Sequence, residues 1–105
     1  MVTDSAWYPD SGATEHITND HFCFAPNSIL PGSGTVQVGT GELSPITSIG
    51  NTSIYNTNTQ FALNKVLYVP KMKKNLLSIA KFTCDNNVSV EFFPHKCIVK
   101  DMRIG

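Results

Sequence analysis

Val66-Leu67-Tyr68-Val69 is an unbroken run of strand-favouring apolar residues, entered through Asn64-Lys65 and stopped by Pro70. So short a run, bounded by turn formers, reads as a strand buried on both faces. A chain of 105 residues holds one modest core, and this strand should be its middle. The remaining apolar positions agree with it. Thr35-Val36-Gln37-Val38 alternates, Gln60-Phe61-Ala62-Leu63 alternates, and Val88, Val90 and Phe92 alternate with Ser89 and Glu91. A period of two marks half-buried strands, so the expected class is all-β and mostly antiparallel.

Turn chemistry divides these strands. Gly39-Thr40-Gly41 predicts a hairpin whose second arm runs over residues 43–49, with Pro45 removing one ladder donor. Its tip, bare of side chains at two positions, should be mobile. Pro94-His95-Lys96 turns the Val88 strand back through Cys97-Ile98-Val99 as a second hairpin. Residues 51–59, mostly Asn, Thr and Ser around Ile54 and Tyr55, read as a surface turn or short edge strand, and His21-Phe22-Cys23-Phe24 as a strand or extended arm. One helix is predicted near residues 76–84: Leu76, Ile79, Ala80 and Thr83 recur at helical spacing, and Asp85-Asn86-Asn87 ends it.

Composition excludes several function classes. With 8 basic and 8 acidic residues the chain has no excess charge for phosphate contacts, so no direct nucleic-acid partner is expected and Lys71, Lys73 and Lys74 read as a solvated basic turn. No apolar run is long enough to span a bilayer, and no membrane partner is expected. Residues 1–6 lack the basic and apolar regions of a secretory signal, which predicts a reducing, cytoplasmic setting where the sequons at Asn51 and Asn87 carry no weight. Cys23, Cys84 and Cys97 form no CxxC pair, and with His16, His21 and His95 they show no zinc spacing. They read as buried structural thiols, with no metal and no cofactor expected.

Candidate chemistry sits near the start. In Trp7-Tyr8-Pro9-Asp10-Ser11-Gly12-Ala13-Thr14 two aromatics run into a carboxylate, a hydroxyl and a glycine. This is how a strand ends in a tight turn that presents its last side chains. Asp10 held there can act as an acid or base. As a bare tripeptide, Asp10-Ser11-Gly12 is also an ordinary turn. His16, six residues on, reads as a structural hydrogen-bonder.

These residues also form a wider pattern. Trp7 to Thr14, His16, Thr18, Val38-Gly39, Pro45-Ile46, Gly50, Val66 to Pro70 and Asn75-Leu76-Leu77-Ser78 resemble, in order and spacing, the protease region of copia-type retrotransposon Pol polyproteins, most closely those of plants. The resemblance runs from Trp7 to Asp101. It implies a single retropepsin-like closed barrel over residues 1–105, with residues 1–6 a flexible lead and the C-terminal strand truncated after Lys100. Asp10, Ser11 and Gly12 would be catalytic. Ala13 and Thr14 would support that loop, with Leu76, Leu77 and Ser78 beneath it as the second limb of a ψ-shaped arrangement; Ser78 stands where glycine is usual. Val38, Gly39, Thr40, Gly41 and Glu42 would form a flap over an extended polyprotein peptide, and the resemblance implies a virus-like particle as the setting.

One carboxyl cannot be base and acid at once, whereas two about 3 Å apart share a proton and supply both roles. The chain has one such triplet, since Asp4-Ser5-Ala6 lacks the glycine. Activity therefore implies a homodimer with Asp10 of each copy on the two-fold axis. Two other readings stay open: a non-cleaving remnant that binds peptides or proteins, and a structural β module in which Asp10-Ser11-Gly12 is only a turn.

Overall fold

The computed structural model describes residues 7–56, 59–94 and 96–101. The lead expected at residues 1–6, the turn residue His95 and the end at residues 102–105 lie outside them, as does the side chain of Cys97. The chain opens with β1 (Trp7–Asp10) and β2 (Ile17–Thr18), passes through 3₁₀ turns at His21–Cys23 and Pro26–Ser28, and continues as β3 (Leu30–Pro31). A hairpin of β4 (Thr35–Gln37) and β5 (Leu43–Pro45) follows, then a long one of β6 (Ser48–Asn56) and β7 (Thr59–Tyr68). The chain ends with β8 (Asn75–Ser78), helix α1 (Ile79–Asn86), and the hairpin of β9 (Val88–Phe93) and β10 (Lys96–Asp101).

Six strands form one sheet in the order β1-β8-β2-β7-β6-β3, and the β4–β5 and β9–β10 hairpins are separate two-stranded ribbons. The run Val66 to Val69 lies at the middle of the sheet as predicted, with β2 on one side and β6 on the other; Val66, Leu67 and Val69 are all buried. Asn64-Lys65 does interrupt it. Between the pairs Gly50 with Val66 and Thr52 with Leu63, Asn51 faces both residues, a β-bulge in which Lys65 takes φ 54° and donates its N–H to the Asn51 Oδ1 at 3.1 Å. The extra residue switches parity, so that Phe61 and Leu63 before it and Val66 after it all reach the same core.

That core joins Trp7 of β1, Phe24, Ile54 of β6, Leu77 of β8 and Val88 of β9 around Phe82, the buried residue of α1. Phe61 and Phe82 lie with ring centroids 5.2 Å apart. Asn86 fastens the end of the helix to β7 by accepting the Ala62 N–H and donating to its carbonyl. Asn87 then closes α1 in the left-handed conformation, φ 52°, as the Asp-Asn-Asn sequence leads one to expect. Among the described residues no helix is long and apolar enough to cross a membrane.

Four expectations need correction. The sheet is mixed, since β1 pairs with β8 and β2 with β7 in parallel, and among the described residues it does not close into a barrel. Its outer strands stop the ladder: β3 is two residues long and ends in Pro31, which has no N–H to donate. Helix α1 begins at Ile79, because Leu76 and Leu77 are extended in β8 and Ser78 caps the helix. Residues 51–56 are six of the nine residues of β6, with Ile54 buried; their polar alternation reflects one solvated face. His21–Cys23 is a 3₁₀ turn, capped by the Asp20 carboxylate accepting the Phe22 N–H.

Phe24 reaches the core by lying against Gly50, where an added Cβ would meet three ring carbons at 2.7 to 2.9 Å. Gly50→Ala should therefore cost about 1–3 kcal/mol through overpacking, read as a lower urea midpoint. Combining it with Phe24→Leu should recover part of that loss, since the smaller side chain removes the clash.

Candidate functional site

Asp10 ends β1 opposite Ser78 of β8, and β1 is an edge of the sheet. The Asp10 Oδ1 accepts the Gly12 N–H at 2.9 Å, and the Asp10 carbonyl accepts the Ala13 N–H at 3.3 Å. This Asx turn follows from an Asp two residues before a glycine, and it leaves Ser11, Gly12 and Thr14 exposed and Asp10 half-buried. The loop joins β1 to β2. Strand β8 passes between those two, parallel to β1 and antiparallel to β2, so the three form a ψ-shaped set. Leu76 and Leu77 both lie on this middle strand, Leu77 fully in the core and Leu76 half-buried on the opposite face.

Ser78 holds the set together. Its hydroxyl donates to the Ala13 carbonyl at 2.9 Å and accepts the Lys81 N–H at 3.3 Å, tying the loop to the start of α1. Its own N–H donates to the Nδ1 of His16 at 2.9 Å. His16 is fully buried, and its carbonyl accepts the Leu67 N–H from the central strand. Burial, helped by the nearby Lys81 ammonium and opposed by Asp85, lowers the His16 pKa to about 4. The ring is therefore neutral at pH 7 and carries its proton on Nε2, which has no partner among the described residues. Lys81 itself donates to the Asn64 carbonyl of the bulge at 2.8 Å and reaches Glu15 at 3.4 Å.

The hairpin of β4 and β5 turns where the glycines predict it, but its second arm ends at Pro45 instead of running to residue 49, since residues 48 and 49 belong to β6. Val38 donates to the Glu42 carbonyl, Gly41 donates back to the Val38 carbonyl, and Gly41 takes φ 88°, which glycine adopts at no steric cost. Val38, Gly39, Thr40 and Glu42 form one wall of an open groove of about 630 Å³. Residues 71–74 form the other wall and Leu76 the floor. Asp10 does not line it. Leu76 pairs with Tyr8, and Tyr8 and Asp10 share one face of β1, so the groove approaches Asp10 to within about two strand residues, roughly 7 Å.

A model of the family described as Pol polyprotein, beta-barrel domain, matches residues 7–87. The chain belongs to this family. It is 42% identical over 99 residues to a retrovirus-related Pol polyprotein from transposon RE2 of Arabidopsis thaliana, and 40% identical over 99 residues to the corresponding polyprotein from transposon RE1 of the same plant. Each alignment covers 94% of this chain and 7% of the relative, so the chain spans a small part of the polyproteins it matches. No solved structure matches it. The resemblance to plant copia-type Pol polyproteins therefore holds at the level of the polyprotein and its β-barrel domain. The names of the family and of the relatives do not assign a protease to this segment.

Sequence reasoning overlooked several contributors to the site. Asn75 is buried and its Oδ1 accepts both the Thr18 hydroxyl at 2.8 Å and the Asn19 N–H at 3.0 Å, clamping β8 to β2. Nothing local marks this, because the partners are more than fifty residues apart. The lysines of residues 71–74 are exposed, as a solvated basic turn predicts, and they also line the groove, with Lys74 Nζ 4.9 Å above the Tyr8 ring. Cys84 is exposed, against the expectation of a buried thiol. Cys23 is half-buried, and burial raises its pKa, so it stays a thiol.

Two measurements test this support. Ser78→Ala removes the loop tie and the helix cap together and should cost about 1–3 kcal/mol in urea unfolding. For His16 the unfolded chain binds the extra proton between pH 6.5 and about 4, so its contribution is complete above 6.5 and is lost as pH falls toward 4. The loss should be at most about 3 kcal/mol, and in His16→Gln the decline between pH 6.5 and 5 should flatten.

Proposed function

We propose that this domain is one subunit of an aspartic endopeptidase that processes the retrotransposon's own Gag-Pol polyprotein. Two copies meet at a two-fold axis and bring their Asp10 carboxylates together. The pair shares one proton; the ionised carboxylate takes a proton from water as it attacks the peptide carbonyl, and the protonated one donates to the carbonyl oxygen. Ser11 braces the pair by hydrogen bonds. The hairpin tip at Val38 to Glu42 covers the extended substrate and pairs with its backbone as an added strand.

The observation that carries this reading is the Asp10 loop. It is held from below by Ser78 on a strand threaded between β1 and β2, while Asp10 ends β1, which among the described residues is an outer strand of the sheet. Gly12 gives independent support. Its φ is not positive, and an added Cβ would meet only the Asp10 Oδ1, at 3.4 Å. Nothing among the described residues demands a glycine there, and the bare backbone suits close approach by another chain.

A second reading, a domain that binds peptides without cutting them, is favoured by one fact: the groove is lined as far as Leu76 and not to Asp10. Cleavage assays separate the two. Incubation with a polyprotein substrate should give cleavage that weakens on dilution, is abolished in Asp10→Asn, and is greatest at mildly acidic pH; an undiminished rate in Asp10→Asn, or a rate still rising above about pH 8, overturns the protease reading. Gly12→Ala should leave the subunit's stability within about 0.5 kcal/mol while removing most of the activity.

A further inference from the structure

The groove beside the hairpin tip carries a charge pattern that the proposed cleavage does not use. One wall places Lys71, Lys73 and Lys74 within four residues, and Glu42 opposite is the one acid among the lining residues, so the groove is positive although the whole chain is neutral. Little neutralises these ammonium groups. Lys71 and Glu42 lie 3.9 Å apart with both side chains well exposed, a pairing of little strength. Lys74 rests over the Tyr8 ring, and Lys73 makes no ion pair among the described residues. The apolar lining is Val38 and Met72 in the two walls and Leu76 in the floor.

The tip itself offers main-chain groups. The turn uses the Val38 N–H and carbonyl, the Gly41 N–H and the Glu42 carbonyl, leaving the Gly39 and Thr40 amides without a partner among the described residues. An extended peptide in the groove can therefore bond to backbone on one side and meet ammonium groups on the other. A nucleic-acid strand fits less well. The apolar floor and the Glu42 carboxylate oppose a phosphate backbone, and the Lys74 ammonium lies over the ring at the edge, Tyr8, leaving less of it for base stacking.

We infer that this groove is a specificity site for an extended peptide segment bearing an acidic side chain, Asp or Glu, which seats against Lys73 and Lys74 while its apolar neighbours lie on Met72 and Leu76. Where the peptide is also cut, the acidic residue stands about two positions from the scissile bond, since the groove floor at Leu76 is two strand residues from the position opposite Asp10. Only this last clause rests on the protease reading; the binding does not.

The experiment measures binding of fluorescein-labelled extended peptides by anisotropy, using Asp10→Asn so that nothing is cleaved. Peptides identical except for Glu, Gln or Lys at one position are compared, with single-stranded DNA of equal charge as a further probe. The Glu peptide should bind about threefold to fivefold more tightly than the Gln peptide at low salt, and the gap should shrink as salt rises. Lys73→Glu, a change at a side chain with no ion pair to lose, should remove the preference, and Lys73→Glu with Lys74→Glu should reverse it toward the Lys peptide. Equal binding of Glu and Gln peptides, no peptide binding, or tighter binding of the DNA overturns the inference. A preference for Glu in a protein whose unmutated form cuts nothing keeps this groove and removes the protease; cutting that ignores the acidic residue does the reverse.

Discussion

The structure depends on one strand being held between two that are neighbours in sequence. β8 enters between β1 and β2 and bonds to both, so the loop joining those strands must arch over its end. Short ladders do not hold such an arrangement by themselves: β2 contributes two residues, and its pairing with β8 is a single register position. The polar groups close to it supply the rest. Asn75 reaches Thr18 and Asn19, the Ser78 N–H reaches His16, and the Ser78 hydroxyl reaches the Ala13 carbonyl. All three anchor residues are buried, where a broken hydrogen bond exposes the full desolvation cost of its partner. The same contacts that specify the sheet order therefore also fix the shape of the Asp10 loop.

This explains why part of the fold was legible in the residues and part was not. The run Val66 to Val69, the glycine turn after Val38 and the terminal hairpin announce themselves through local period and turn chemistry, and each appears where it reads. Local pattern fails at longer range. Leu76 and Leu77 fit a helix as well as a strand, and only pairing with Tyr8 and Pro9, nearly seventy residues earlier, makes them extended. The bulge at Asn64-Lys65 has a similar history: it reads as an interruption, yet it keeps the strand continuous while changing which parity faces inward. Asp10-Ser11-Gly12 is legible as a turn. Its support by Ser78 came from family resemblance, and the role of Asn75 was not visible at all.

Edge position gives the Asp10 loop its possibilities. Among the described residues β8 is the one strand paired with β1, and an edge strand can pair with another chain. Pro9 lies in this strand, one residue before Asp10, and proline is compatible with a strand where its missing N–H faces away from the ladder. The free side of β1 is thus short of a donor, which weakens strand-to-strand addition there. On the proposed dimer, contact through the loop is then favoured over contact along the strand, which suits a pairing that must bring two Asp10 side chains together without extending the sheet.

Acidity acts on the proposed site through two separate groups. A carboxylate pair works when it holds one proton, which calls for mildly acidic solution. His16 works as an acceptor only while neutral, and protonating it sets an ammonium-like charge beside the Ser78 N–H and near Lys81. Burial separates these demands by pushing the His16 pKa down to about 4, so the ring stays neutral in the folded state through most of the range in which the pair would hold its proton. The cost appears in the folding equilibrium, because the unfolded chain takes up that proton from pH 6.5 downward. Against a domain stability of about 5–15 kcal/mol, a loss of at most about 3 kcal/mol leaves the fold standing in mild acid. The acid side of an activity profile is then set within folded molecules by the Asp10 pair, and a loss of folded molecules through His16 is added only nearer pH 4 or on heating.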